Sequence, residues 1–191
     1  MDDELRTAAE VVDRLRNLAS GPELAKLSER LSVGEPAFGV TMRDLFQTAK
    51  AAVGLPESEL EELFDQDAFE PRMAAFCVLD FRARQKPDIA LRQTYLDHHD
   101  AITTWDMVDR AAPWVVGSAT AGGPYDVLHH LAASDDPLRR RSAMTAPLWF
   151  AKYGDPGDVA AGYDVAAKLR DDPEPVVRKA AAIYDRHAGR R

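Results

Sequence analysis

Trp105 and Asp109 lie four residues apart in the stretch TTWDMVDRAAPWVVG, at positions 103–117. Four residues make about one helical turn, so a helix beginning at Trp105 would place the indole and the carboxylate on one face. Val108 and Ala112 share that face, so Asp109 interrupts an apolar stripe. Burying a lone carboxylate costs several kcal/mol. The pattern therefore indicates either an acid that bridges neighbouring helices, or an ionised acid in an aromatic-walled cleft that stabilises a developing cation or orients a water.

Helical patterns cover nearly the whole chain, and no alternating stretch has the composition of a strand. Proline stands at or just before several of the predicted starts, where its missing N–H costs nothing. We therefore predict an all-α protein. The predicted helices lie near positions 3–18, 22–32, 42–53, 57–65, 71–85, 88–99, 105–112, 124–133, 137–152, 158–169 and 174–187.

An internal repeat accompanies these helices. Arg72, Arg141 and Arg178 each open an Arg-x-Ala triplet, and Asp109-Arg110-Ala111 falls between the first two, with spacings of 37, 32 and 37 residues. An aspartate precedes each of the last two arginines by six residues. This pattern resembles the HEAT repeat, a helix pair of roughly 40 residues. We expect residues 1–191 to form a single curved α-solenoid of HEAT-like helix pairs, whose second helices line a concave face.

Asp109 occupies the place on this ladder where the neighbouring repeats carry arginine. We expect it to lie between Arg72 and Arg141, both of which would hold it ionised. Arg141 itself has two interpretations. It is either the structural arginine of its repeat or a phosphate clamp, because the planar guanidinium fork matches phosphate oxygens.

The charge of the chain is unevenly distributed. The net charge of −8 argues mildly against a nucleic-acid partner. From position 131 onward, however, eleven Lys and Arg residues face nine acids, so this part carries +2 and the first 130 residues carry −10. A local basic face is therefore expected, and its candidate phosphate contacts are Arg141, Lys152, Arg178 and Lys179.

Other residue types exclude several kinds of site. Cys77 is the only cysteine, which rules out an intrachain disulfide and makes a cysteine-based metal site improbable. The pairs His98–His99 and His129–His130 are adjacent, so their side chains diverge, and we expect them to face solvent or cap helices rather than bind metal. Trp114 and Trp149 fit apolar helical stripes and are expected in the core. We predict no metal and no organic cofactor.

The chain also lacks the signals of membrane proteins. No apolar run approaches 18 residues, and the N-terminus, MDDELRTAAE, is acidic without an apolar segment. We expect a cytoplasmic monomer with no membrane partner.

Several stretches together resemble one protein family, the AlkD-like DNA alkylation repair glycosylases built from HEAT-like repeats. The similarity runs from about Phe38 to Arg186 and includes Val116-Gly117. The W-D-x-V-D core, followed about thirty residues later by a doubled arginine, is its most specific part. The matching stretches are FGVTMRDLFQTAK (38–50), TTWDMVD (103–109), SDDPLRRRSA (134–143), FAKYGD (150–155) and DDPEPVVRKA (171–180).

The resemblance implies a substrate and a site. The family removes cationic N3- and N7-alkylated purines from double-stranded DNA by cleaving the N-glycosidic bond, and it grips the backbone around the lesion. Its catalytic aspartate corresponds to Asp109, its site tryptophan to Trp105 and its phosphate-contacting arginine to Arg141. This chain departs from the pattern at Ile183, where the family has a second site tryptophan, unless Tyr184 or another residue supplies that ring.

Three functions follow as hypotheses. The leading one is a glycosylase that acts on alkylated DNA through Asp109. The first alternative is a DNA-binding relative that no longer excises bases, because the second tryptophan is missing. The second alternative is a HEAT-type scaffold for proteins, which the overall negative charge favours.

Overall fold

The computed structural model describes residues 4–190, and within them the backbone is helical with no β-strand. The predicted all-α class is confirmed. A 3₁₀ turn at His99–Ala101 follows the sixth helix, and a π-helical turn at Pro113–Gly117 continues the seventh. The α-helices are α1 (Ala8–Asn17), α2 (Gly21–Ser28), α3 (Met42–Ala51), α4 (Glu57–Phe64), α5 (Phe69–Gln85), α6 (Ile89–Asp97), α7 (Trp105–Ala112), α8 (Asp126–Ala132), α9 (Pro137–Thr145), α10 (Leu148–Tyr153), α11 (Pro156–Leu169) and α12 (Pro175–Ala188).

Caps and prolines determine where many of these helices begin. Thr7 and Asp155 form reciprocal capping boxes at the starts of α1 and α11, so each satisfies backbone N–H groups that the first turn leaves without partners. Pro137 and Pro175 are the first residues of α9 and α12, where the absent N–H costs no helical hydrogen bond. The two helices therefore start at equivalent points of their repeats.

Four of the helices pack against one another in the order in which they follow along the chain. The helices α5, α7, α9 and α12, here called the second helices, each contact the next one in the chain. The intervening helices pack on them, with α3 and α4 against α5, α8 against α9, and α11 against α12. One cluster of buried side chains extends from Leu5 to Ala188. The curvature of the stack and the single-domain limits of 1–191 stay predictions, and positions 1–3 and 191 lie outside the described residues.

Several boundaries differ from those predicted, including the end of α2 at Ser28 rather than near position 32. The first helix begins at Ala8 rather than near position 3, which itself lies outside the described residues. The fifth helix begins at Phe69, two residues before the predicted start at Pro71. The predicted helix 137–152 is two helices separated at Pro147, because a proline inside a helix removes a backbone donor and clashes with the preceding turn.

The histidines also depart from expectation. His98 stacks on Phe64 with ring centroids 4.3 Å apart, and His99 is completely buried with its Nε2 2.9 Å from Ser142 Oγ. The prediction that both face solvent or cap a helix is therefore wrong for His99, because the 3₁₀ turn after α6 redirects the chain inward. Burial, together with the nearby charge of Arg139, lowers the pKa of His99 to about 4.

Candidate functional site

Asp109 on α7 and Arg141 on α9 form a bidentate ion pair. Arg141 Nε donates to Asp109 Oδ1 at 2.9 Å, and Nη2 donates to Oδ2 at 2.6 Å. A third N–H, on Nη1, donates to the carbonyl oxygen of Val176. The Arg141 side chain is only 3% exposed, whereas that of Asp109 is 34% exposed. The guanidinium therefore lies behind the carboxylate, which it fixes in place while leaving it open to solvent.

Trp105 forms an aromatic wall next to this pair. Its indole is 46% exposed, and its ring centroid lies 5.4 Å from Arg141 Cζ, within the range of a cation–π contact. An open cleft of about 450 Å³ lies in front of these groups. The structure thus brings Trp105, Asp109 and Arg141 together in one cavity. Its lining consists of Trp105, Asp109, Arg141, Pro175, Val176, Lys179 and Ile183.

The opposite wall of the cleft is aliphatic. Ile183, on α12, lines the cavity at the place where the resemblance puts a second tryptophan. Tyr184 does not supply the ring, because it is fully buried and its hydroxyl donates to the carbonyl oxygen of Val159 at 2.9 Å. Trp105 is therefore the only aromatic residue among those that line the cleft within the described part of the chain.

Helix register explains why these charged residues meet. Asp109, Arg141 and Lys179 are each the fifth residue of their helix, counted from Trp105, Pro137 and Pro175. Because α7, α9 and α12 pack side by side, equivalent positions point the same way. Three consecutive second helices therefore present an acid, an arginine and a lysine to one cavity.

The residue one position earlier in α9 and α12 has a structural role. Arg140 and Arg178, the fourth residues of α9 and α12, each donate to the two carbonyl oxygens five and six positions earlier in the chain. Arg140 also forms a bidentate pair with Asp172, at 2.7 and 3.1 Å, which ties one repeat to the next. This pair lowers the pKa of Asp172 and raises that of Arg140, mainly through the shared hydrogen bonds. The structural arginine of this repeat is therefore Arg140, next to the cleft residue Arg141.

Arg72 belongs to the same structural class, which corrects one prediction. It is the fourth residue of α5, and its Nη2 pairs with Glu35 at 2.5 Å instead of approaching Asp109. The expectation that Asp109 is held between Arg72 and Arg141 is wrong, because the Arg-x-Ala alignment combined fourth and fifth positions. The side chains at the fourth and fifth positions point in directions that differ by about 100° around the helix axis.

The four candidate phosphate contacts divide into two groups. Arg141 and Lys179 line the cleft. Lys152 lies outside the cleft lining, with Nζ 4.9 Å from the ring centroid of Tyr153, and Arg178 donates to backbone carbonyls at the start of α12. The role of these four residues in binding DNA stays a prediction.

The N-terminal part of the chain braces the start of α7. Glu35 accepts hydrogen bonds from both Thr103 and Arg72, each at 2.5 Å. Asp106 lies in the first turn of α7 and pairs with Arg30 at 3.1 Å. These contacts hold the segment that carries Trp105.

Sequence reasoning missed three residues of this site. Thr145 Oγ1 lies 3.5 Å from Asp109 Oδ1, and its position one turn after Arg141 was a signal that helical spacing offered. Glu35 and the Val176 carbonyl carried no such signal, because they approach the site only through packing between distant segments.

No helix in the described part of the chain combines the length and apolarity needed to cross a membrane.

A search of curated proteins found no match. A family model described as DNA alkylation repair enzyme matches residues 11–191, which includes all four second helices and every residue of the cleft. The resemblance stated from the motifs is thereby confirmed at the level of the family. Since the match covers nearly the whole chain, the protein belongs to the DNA alkylation repair enzyme family.

Proposed function

We propose that this protein is a DNA glycosylase that hydrolyses the N-glycosidic bond of cationic N3- or N7-alkylated purines in double-stranded DNA. One observation carries the proposal: a carboxylate fixed by a buried arginine faces an open cleft beside an exposed indole. Membership of a family of DNA alkylation repair enzymes supports DNA as the substrate.

The chemistry suits a site with an anion and no dedicated acid. An alkylated purine already carries positive charge, so its bond to C1′ breaks with the electron pair moving to the base, which leaves neutral. The sugar then develops oxocarbenium character. In this scheme the Asp109 carboxylate stabilises the cation, and the exposed indole of Trp105 contributes a cation–π contact.

The same carboxylate has capacity for the attacking water. A carboxylate offers about four lone-pair sites. Arg141 occupies one on each oxygen of Asp109, and Thr145 Oγ1 donates to Oδ1 at 3.5 Å. The remaining sites accept a hydrogen bond from a water, whose oxygen attacks C1′ and whose proton passes to the carboxylate and then to solvent. Arg141 acts as a positioning residue in this scheme.

Lys179 is the cation best placed to meet a DNA phosphate at the cleft. It is exposed, and it lines the cavity one helix beyond Arg141. The phosphate-clamp role predicted for Arg141 is proposed in a reduced form, because three of its five N–H groups are already engaged within the protein.

The test is release of free base from a duplex that carries N7-methylguanine, measured above spontaneous depurination. The native protein is expected to release the base, and Asp109→Asn to lose about 100-fold or more of the rate because the anion is removed. Asp164→Asn, an exposed acid on α11, is the matched control and is expected to act like the native protein. Equal rates for the native protein and Asp109→Asn would refute the assignment of the carboxylate.

A second candidate is a DNA-binding relative without excision. The aliphatic Ile183 wall favours it, because a single aromatic side then faces the lesion. This candidate predicts binding that weakens steeply with salt and no base release. Gain of base release on Ile183→Trp would support it over the glycosylase.

A further inference from the structure

A second group of aromatic and cationic side chains lies beyond the C-terminal end of α7. Trp114, in the π-helical turn, meets Trp149 and Tyr153 from the region of α10, and Arg84 and Lys152 lie against the rings. We call these five residues the aromatic cluster. The two tryptophans pack against the core, as expected, but both stay partly exposed.

The geometry of the cluster leaves ring surface available. The Tyr153 centroid lies 5.4 Å from that of Trp114 and 5.3 Å from that of Trp149, with tilts of 53° and 44°. Tilted rings do not cover each other's faces, and Tyr153 is 48% exposed. A buried core cluster would not leave a tyrosine half in water.

Two of the five residues of the cluster are cationic side chains that lie against its rings. Arg84 Cζ lies 4.9 Å from the Trp114 centroid, and Lys152 Nζ lies 4.9 Å from that of Tyr153. The nearest carboxylate partner of Arg84 is the buried Asp80, which also binds Arg110, so one anion is shared between two guanidinium groups. Burial raises the pKa of Asp80, against the lowering effect of both arginines.

Partly exposed rings next to cations match one class of ligand well. A nucleobase offers a flat π-surface, and its flanking phosphates offer anions within reach of arginine and lysine.

We propose that the aromatic cluster binds an unpaired nucleobase of DNA, with the base stacked on Tyr153 and its flanking phosphates against Arg84 and Lys152. This inference rests on the proposed function only for the identity of DNA as the ligand. It predicts that the protein prefers DNA that contains an unpaired nucleotide.

The experiment compares two duplexes, one fully paired and one with a single unpaired 2-aminopurine, a base whose fluorescence falls on stacking. The native protein is expected to quench the unpaired probe and to bind that duplex more tightly. Tyr153→Ala is expected to weaken binding of the unpaired duplex about tenfold and to abolish the quenching, while Tyr153→Phe retains both. Tyr163→Ala removes a 37% exposed tyrosine from α11 and serves as the matched control.

The outcomes separate this inference from the glycosylase proposal. If Tyr153→Ala binds both duplexes as the native protein does, or weakens both equally, the cluster is not a nucleobase site. A Tyr153-dependent preference without any base release would keep this inference and refute the glycosylase. Base release from a protein that shows no preference for the unpaired duplex would do the opposite.

Discussion

The ion pair between Asp109 and Arg141 supports a quantitative prediction, because its two members differ so strongly in exposure. In Asp109→Asn the Arg141 guanidinium stays 3% exposed but loses its counter-charge. Breaking a buried pair in this way costs about 3 kcal/mol or more of unfolding free energy. In Arg141→Met the remaining carboxylate is one-third exposed, so water replaces part of the lost interaction and the expected cost is about 1–2 kcal/mol.

The double variant tests whether these costs come from one interaction. With Asp109→Asn and Arg141→Met combined, neither charge is left, so the total loss should fall short of the sum of the single losses by about 2 kcal/mol. The assay is urea unfolding followed by circular dichroism for the native protein, both single variants and the double variant. Asp109→Asn alone should also lower Tm by about 6–12 °C for a chain of this size.

The control is a pair that the structure predicts to be nearly uncoupled. Arg170 and Asp185 form an ion pair at 3.0 Å with side chains 55% and 33% exposed. The coupling energy of such a surface pair is about 0.5 kcal/mol or less. Additive losses for the Asp109 and Arg141 variants, within the same limit, would refute the argument that the guanidinium is a buried support for the carboxylate.

Three further predictions address pH, packing and DNA binding. The unfolded chain protonates His99 near pH 6.5, whereas the folded protein does so only near pH 4. The unfolding free energy should therefore fall by roughly 3 kcal/mol as the pH drops through this window. Urea unfolding at several pH values should show that this dependence on pH is reduced in His99→Gln and unchanged in His130→Gln. Gly117→Ala should cost about 1–3 kcal/mol, because its Cβ would meet the backbone carbonyl of Ala146, whereas Gly21→Ala meets nothing within 4 Å and should unfold like the native protein in the same assay. Lys179→Ala should weaken DNA binding regardless of sequence and reduce the slope of log K against log salt concentration by about one. Lys168→Ala, which changes another exposed lysine, is the control. An unchanged slope would show that Lys179 makes no phosphate contact.

Helical periodicity and family motifs predicted the charged and aromatic cleft residues because these lie on regular helices. The four-residue spacing from Trp105 to Asp109 survives in α7, and the position of Ile183 follows from the uninterrupted helix α12. In the middle of a regular helix, the helical geometry determines the direction in which each side chain points. The sequence therefore carried enough information to bring these side chains to one cavity.

The failures have a common physical cause, which is uncertainty about where each helix begins. The start of α5 at Phe69 decides that Arg72 is a fourth-position residue and not a cleft residue, and no local pattern distinguished this start from Pro71. His99 was misplaced because the 3₁₀ turn changes the angle per residue at the end of α6. Contacts such as Glu35 with Thr103 depend on packing that connects segments 68 residues apart.

The adjacency of Arg140 and Arg141 has a consequence for how such a protein changes during evolution. Arg140 links α9 to Asp172, and Arg141, the next residue, contacts Asp109 in the cleft. A structural residue and a cleft residue are therefore adjacent in the chain. Substitutions at the fifth position of α7, α9 or α12 alter the charge of the cavity while the architecture persists. A one-residue deletion before α9 that shifts its register would place Arg141 at the fourth position and Ser142 at the fifth, so that no guanidinium would face the carboxylate. Gaps at helix starts should therefore be far less tolerated than point changes in the cleft, so that new substrate preferences arise by substitution and not by changes in length.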